Sequence, residues 1–258
     1  MIQTRVIPCL LLKGSGLVKT VRFKDPRYLG DPINIVRLFN DKEVDELVIL
    51  DITATPEGRG PRMDLLATLT TECFMPLCYG GGVRTLDDMH ALFSLGVEKV
   101  SLNTRALEDP ALVTAAAERF GSQSVIVSID VKRGMFGGQK VVVRAGKQRT
   151  GRDPVEFAVE MERRGAGELL LNSVDRDGTM EGYDLELIRR VTAAVSVPVV
   201  ACGGAGSVAD LGRAVNEGGA AAAAAGSLFV YQGPHRAVLV NYPEPRALQA
   251  LFADAPAA

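Results

Sequence analysis

The sequence predicts one α/β domain, a closed (β/α)8 barrel of the TIM-barrel architecture, built from two half-barrel repeats. Three observations predict it. Eight short apolar runs alternate with longer helix-like stretches. The runs are nearly bare of polar residues, as parallel strands covered on both faces are. The second half of the chain also repeats the first. The 258 residues, 47% of them hydrophobic, suit a barrel of about 250 residues. An open doubly wound sheet is the alternative use of the same units; eight of them favour closure.

In chain order, RVIPCL (5–10) passes into LLKGSG, and ELVILD (46–51) ends on Asp51. MPLCYG (75–80) runs into a glycine loop, and KVSLN (99–103) ends on Asn103. VIVSID (125–130) ends on Asp130, ELLLN (168–172) on Asn172, and VPVVAC (197–202) enters a second glycine loop. AAAAAG (221–226) is a weak strand by propensity, because alanine favours helix; the Gly226-Ser227 pair at its end marks it as the eighth strand. Between the runs, LDDMHALFSLG and VADLGRAVNEGG place apolar residues on one helical face and stop at glycine.

The repeat is explicit. MPLCYGGGVRTLDDMHALFSLGVEKVSLNT (75–104) resembles VPVVACGGAGSVADLGRAVNEGGAAAAAAGS (197–227). DELVILDITATPEGR (45–59) is echoed weakly by GELLLNSVDRDGTMEG (167–182), and IPCLLLKGSG (7–16) by VSIDVKRG (127–134). In the last pair Leu11 stands where the second copy has Asp130. A period of half the chain is too long for a solenoid. No linker divides the halves, so residues 1–243 read as one barrel. The Pro- and Ala-rich ending, 244–258, reads as a tail outside it.

The formal charge of −2 gives no basic footprint for nucleic acid and no polybasic membrane anchor. No apolar stretch reaches the roughly 20 residues of a membrane span, and Arg5 and Pro8 interrupt the only candidate leader. Cys9, Cys73, Cys78 and Cys202 lie in or beside apolar runs, so buried thiols in a reducing cytoplasm are expected. No CxxC or histidine cluster points to a metal; no cofactor is expected, and His90 and His235 lie far from every motif.

YGGG (79–82) and CGGAG (202–206) come after the third and seventh runs. Glycines there let backbone N–H groups approach an anion. The fourth and eighth runs end in Asn103-Thr104 and Gly226-Ser227, each pairing with the glycine loop one strand earlier. The loops after strands 7 and 8 of such barrels often hold phosphate, and here the device is duplicated. Two phosphate sites imply a ligand with a phosphate at each end. The competing reading is that the glycines only make tight turns.

LDITAT.EGR, GGGVRT, ERFGSQSVIVSIDVKR, RGAGELLLNSVDRDGTMEGYDLELI and VPVVACGGAG resemble the HisF family, the cyclase subunit of imidazole glycerol phosphate synthase, over residues 4–230. The resemblance implies a barrel that docks a HisH-type glutaminase. Ammonia made there crosses the barrel and meets a bis-phosphorylated ribulosyl substrate, giving imidazole glycerol phosphate and an aminoimidazole carboxamide ribotide. It implies phosphate contacts at Gly81, Gly82, Asn103 and Thr104 in one half, and at Asp177, Gly178, Gly204, Ala205 and Ser227 in the other. It implies a charged ammonia gate at the strand beginnings, formed by Arg5, Glu46, Lys99 and Glu168; a generic ion network is the plainer reading. It gives Lys19, in the basic stretch KTVRFKDPRY (19–28), a part in holding substrate. That stretch also reads as a solvated loop or a docking surface.

The departures point to one branch of the family. Family cyclases carry an acid–base pair at the ends of strands 1 and 5. Asp130 matches the second member, and Leu11 replaces the first. Asn172 stands where family cyclases usually have threonine. General acid–base catalysis is typically worth about 10²–10⁴-fold, and leucine forfeits one side of it. Asp51 and Asp177 are candidate substitutes, and Asp130 could instead be a structural acid paired with Lys132 or Lys19. IPCLLLK.SGLVKTV.FK.P.Y.GDPINI and VLVNYP resemble the HisF-like branch associated with glycosyl amidation in bacterial surface-polysaccharide synthesis. There the barrel and its glutaminase supply ammonia to an ATP-dependent sugar amidotransferase. The alternatives are a working histidine-pathway lyase and a phosphate-binding scaffold that conducts nothing.

Overall fold

The computed structural model describes residues 4–134 and 137–252. The chain opens with β1 (Arg5–Lys13), β2 (Gly16–Val21), β3 (Lys24–Gly30) and α1 (Pro32–Asn40). Then come β4 (Leu47–Asp51), α2 (Met63–Thr70), β5 (Leu77–Gly80), α3 (Leu86–Ser94), β6 (Lys99–Leu102), α4 (Thr104–Glu108) and α5 (Ala111–Phe120). The second half runs β7 (Val125–Arg133), β8 (Gln139–Val143), β9 (Gln148–Arg149), α6 (Pro154–Arg163), β10 (Glu168–Ser173), α7 (Leu185–Thr192), β11 (Val199–Cys202), α8 (Val208–Asn216) and β12 (Ala222–Ala225). It ends in α9 (Ser227–Val230), a short β13–β14 hairpin (Tyr231–Gln232, Ala237–Val238) and α10 (Pro245–Leu251).

Strands β1, β4, β5, β6, β7, β10, β11 and β12 pair in parallel in that order, and β12 pairs with β1 to close the barrel. The predicted (β/α)8 architecture is present, and the alanine run forms the eighth strand. Burial on both faces overrides alanine's helical preference: Ala222 to Ala225 are all at most 3% exposed.

Alternate residues along each strand face opposite ways. Those facing out, such as Val6, Leu47, Val127 and Leu169, pack under the helices in one continuous core. Those facing in form a second cluster: Ile7, Cys9, Val48, Cys78, Ile126, Leu170, Val200, Ala222 and Ala224. The helices are set by their caps. Asp31 and Asp153 each accept a backbone N–H of the following helix, with a proline in its first turn. Thr85 and Ser207 each close a capping box with an aspartate three residues on.

One sequence expectation needs correction. KTVRFKDPRY is not an open loop. β1 runs on past the barrel mouth and turns back as an antiparallel ribbon, with Leu11 opposite Val18 and Val21 opposite Lys24. β7 does the same with β8, Asp130 lying opposite Val142. The turn at Arg22-Phe23 puts both residues in the left-handed region (φ 52° and 62°), the primed geometry that matches strand twist but is usually made with Asn-Gly. The absence of that pair hid the hairpin from the sequence reading. The C-terminal segment carries α10, whose Leu248 is buried against the helical layer.

Candidate functional site

The C-terminal ends of the strands surround a cavity of about 360 Å3, into which Leu11, Asp51, Asn103, Asp130, Asn172 and Asp177 project from separate strands and loops. Leu11 and Asp130, from the first and fifth barrel strands, stand on opposite walls. Asp130 is held from two sides: Asn172 Nδ2 donates to its Oδ1 at 3.0 Å and Asn103 Nδ2 to its Oδ2 at 3.2 Å. Burial pushes its carboxyl up to about 7, against the lowering effect of the Asn172 bond and with a smaller contribution from Asp177. At neutral pH it therefore exchanges a proton readily, which is what general acid–base chemistry requires. The pairing of Asp130 with Lys132 or Lys19 does not occur. Lys19 Nζ instead sits 2.8 Å from Asp177 Oδ1.

Neither candidate substitute for the missing acid is free. Asp51 is locked by Arg59, whose Nη1 lies 2.8 Å from Oδ2. Its other oxygen accepts from the backbone of Thr53 and Ala54, so it builds the loop after β4. Asp177 holds both Lys19 and the Thr20 hydroxyl (3.2 Å). Lys19 itself is 5% exposed, not a solvated loop residue; its ion pair fastens the first ribbon onto the loop after β10. Arg22 N–H, donating to Asp177 O at 2.8 Å, adds to that fastening.

The glycine loops line the same cavity. Gly82 has φ 75° and Gly204 φ 120°, and a side chain on Gly204 would meet Gly182 O at 2.2 Å. Backbone crowding alone accounts for glycine at these two positions. What favours a ligand is the hydroxyl of Ser227, which is buried, lines the cavity and makes no hydrogen bond among the described residues. Its counterpart, Thr104, is already engaged, accepting from Arg144 N at 3.0 Å and donating to Asn103 Oδ1 at 3.3 Å. Gly81, Gly178 and Ala205 complete the wall; Arg84, Arg105 and Arg144 bring positive charge to the Gly82–Thr104 end, while Lys19, paired with Asp177, lies beside Gly226 at the other. Among the described residues no cluster of metal-ligating side chains occurs.

At the opposite end of the strands four charges form a closed ring. Arg5 bonds Glu46 with one guanidinium nitrogen and Glu168 with the other. Lys99 Nζ lies 2.8 Å from Glu46 and 3.1 Å from Glu168. The carboxylates are almost fully buried, and each has both cations, so charge alternates around the ring. Lys99 occupies its strand position in the first half, and the matching position in the second is Ala222. Arg5, paired in register with Ala222, reaches across that small side chain to supply the fourth charge.

Between ring and cavity lie Ile7, Cys78, Ile126 and Val200, then Val48, Ser101, Leu170 and Ala224. Burial holds the Cys78 thiol well above its ordinary range. Cys202 is raised too, first by its contact with the Cys9 thiol and then by burial. Neutral thiols, methyl groups and hydroxyls therefore make up the interior wall.

A family model described as "Histidine biosynthesis protein" matches residues 5–235. The chain belongs to this family. Within it, its relatives are HisF proteins. A Pseudomonas aeruginosa protein provisionally named imidazole glycerol phosphate synthase subunit hisF2 is 54% identical over 95% of this chain and 97% of its own. Imidazole glycerol phosphate synthase subunits HisF of Hyphomonas neptunium (48% identical; 89% of this chain, 90% of the relative) and Alkaliphilus metalliredigens (47%; 90% and 92%) are also similar. Among the described residues of this HisF-family barrel, no helix is long and apolar enough to cross a membrane.

Sequence reasoning missed the parts played by four residues. Arg59 neutralises Asp51, and only the EGR motif around it was visible. Asn103 and Asn172 hold Asp130; both were noted, but for other reasons. Tyr242, close to the charged ring, carries no sequence signal beyond its place in VLVNYP.

Proposed function

We propose that this chain is the barrel subunit of a glutamine-dependent complex in which it receives ammonia from a HisH-type glutaminase and delivers it, without performing the cyclase reaction. The acceptor enzyme is an ATP-dependent amidotransferase acting on a surface-polysaccharide sugar. The observation that carries the reading is Leu11. It faces Asp130 across a mouth whose other carboxylates among the described residues, Asp51, Asp177 and Glu108, are bound to Arg59, Lys19 and Arg144. One proton-transfer group remains where ring closure of a ribulosyl substrate uses two. The ring of Arg5, Glu46, Lys99 and Glu168 and the neutral interior behind it support passage of ammonia through the barrel. Charged ammonium is excluded by desolvation.

A second reading is favoured by a separate observation. Burial pushes the Asp130 carboxyl up to about 7, and the Ser227 hydroxyl at the mouth is left without a partner among the described residues, which suits a working lyase of histidine biosynthesis. The test is direct. The purified chain, given the ribulosyl bis-phosphate and ammonium salt, should turn over poorly; efficient cyclisation returns it to the histidine pathway. In the complex, Lys99→Ala should lower the ratio of amidated product to glutamine hydrolysed while ammonium-driven amidation changes little. An unchanged ratio, or a chain that binds no glutaminase, leaves a ligand-binding scaffold as the better account.

A further inference from the structure

The C-terminal segment reaches the charged ring from outside the barrel. After α9 the chain runs down the outer wall as an extended strip. Leu239 N–H donates to Val230 O at 3.0 Å and Asn241 N–H to Phe229 O at 2.9 Å. The Asn241 side chain bonds the strip to itself, at Leu239 O (3.1 Å). The strip ends at Tyr242, whose ring packs on Phe229 with centroids 5.4 Å apart. Its hydroxyl donates to Val6 O at 2.8 Å and lies 3.3 Å from Asp45 Oδ2. Asp45 Oδ2 also accepts Val6 N–H at 2.8 Å, so phenol, carboxylate and both backbone groups of Val6 form one closed network.

Each partner of that network adjoins a member of the ring. Val6 is next to Arg5, and Asp45 precedes Glu46. Arg5, like Lys99, has no symmetry mate in the ring: it reaches in from β1 across Ala222. Its guanidinium can bridge Glu46 and Glu168 together only if the start of β1 is held in place. β12 pairs with this part of β1 along one edge, at Arg5 to Pro8, whereas β4 pairs with β1 only from Cys9 onward. Asp45 and Tyr242 supply the restraint on that open side.

We infer that Tyr242 is a positioning residue for the charged ring, holding the Arg5 end of β1 in register with Glu46 through Val6 and Asp45. This rests on the reading of the ring as the ammonia gate. The tyrosine touches no reacting group; it fixes how far Arg5 reaches. The strip thereby bears on the ring although it lies outside the barrel wall.

The test reads the ring itself, on the full chain without a partner. Solvent exchange of the Arg5 Nε–H is monitored by 15N-edited NMR in the native chain and in Tyr242→Phe, Tyr183→Phe and Lys99→Ala. Tyr183 is the control: a buried tyrosine whose hydroxyl also bonds a barrel-strand carbonyl, Ala224 O at 2.9 Å. Tyr242→Phe should speed Arg5 exchange about fivefold, the worth of one ordinary hydrogen bond. Tyr183→Phe should leave it unchanged, and Lys99→Ala should speed it at least as much as Tyr242→Phe. Unchanged exchange in Tyr242→Phe, or equal acceleration in Tyr183→Phe, overturns the inference. If Arg5 responds as expected but Lys99→Ala leaves glutamine-to-product coupling intact in the complex, the positioning role stands and the gate reading falls.

Discussion

Thr85 in the first half and Ser207 in the second cap α3 and α8 with the same box, and Asp31-Pro32 and Asp153-Pro154 start α1 and α6 alike. Both first strands of the halves, β1 and β7, run past the mouth into ribbons. The backbone devices are thus shared, while the side chains at the mouth are not. Leu11 and Leu50 make one wall apolar; their counterparts, Asp130 and Asn172, make the other a hydrogen-bonded acid. Duplicated architecture holds the frame, and the titratable group stands on one side of it. At the floor the asymmetry is of another kind. Glu46 and Glu168 are mates, but Lys99 has no mate, and Arg5 fills its place from a neighbouring strand.

The strongest way to break the comparison is to restore the lost symmetry. Leu11→Asp should raise cyclisation of the ribulosyl bis-phosphate by up to about 10²-fold if the acid is all that is missing. Steady-state turnover with ammonium salt measures it, and no gain would mean that Leu50 and Asn172 matter as well.

The next test removes the surviving acid. Asp130 has its carboxyl pushed from the ordinary 3.8 up to about 7, chiefly by burial. The folded state thus binds the proton more tightly than the unfolded chain does. The contribution is full below about pH 4 and is lost as pH rises through 7. Asp130→Asn should therefore gain stability over the native chain on going from pH 4.5 to pH 8, by on the order of 3 kcal/mol. Thermal melts at the two pH values measure the gain; a difference independent of pH would show that Asp130 is not the buried titrating group.

The smallest effect separates the two anion ends. Thr104 bonds Arg144 and Asn103, whereas the Ser227 hydroxyl has no partner among the described residues. Thr104→Val should cost stability by about 1 kcal/mol without any ligand. Ser227→Ala should leave the Tm nearly unchanged yet reduce the rise that millimolar phosphate produces in the native chain. If Ser227→Ala and the native chain respond to phosphate equally, that end of the mouth holds no anion.

The barrel was legible because its strands are apolar runs and its second half rewrites the first; even the alanine strand could be placed by the Gly226-Ser227 at its end. The ribbons were not. Lys19, Arg22, Lys24 and Arg27 made 19–28 look solvated, and nothing local announces that Lys19 is neutralised by a carboxylate 158 positions away. A related limit hid Asn103 on Asp130, a bond between neighbouring strands, and even Arg59 on Asp51, eight residues away, because the loop geometry that joins them carries no sequence signal. The glycines do not by themselves separate a phosphate loop from a tight turn, since crowding against Gly182 O requires glycine at position 204 whether or not a phosphate binds.

Closure also has an order in time. The bond from Tyr242 to Val6 joins positions 236 apart, and β12 must arrive before it can form. Contacts of such separation are slow to form, and domains emerge from the ribosome N-terminal end first. While the chain is being made, the lower part of β1, Arg5 to Pro8, therefore has no neighbour on the β12 side and exposes an open strand edge. Such an edge recruits other strands. Here its first four residues carry an arginine and a proline, two residue types that blunt unwanted pairing until the last tyrosine fastens the seam.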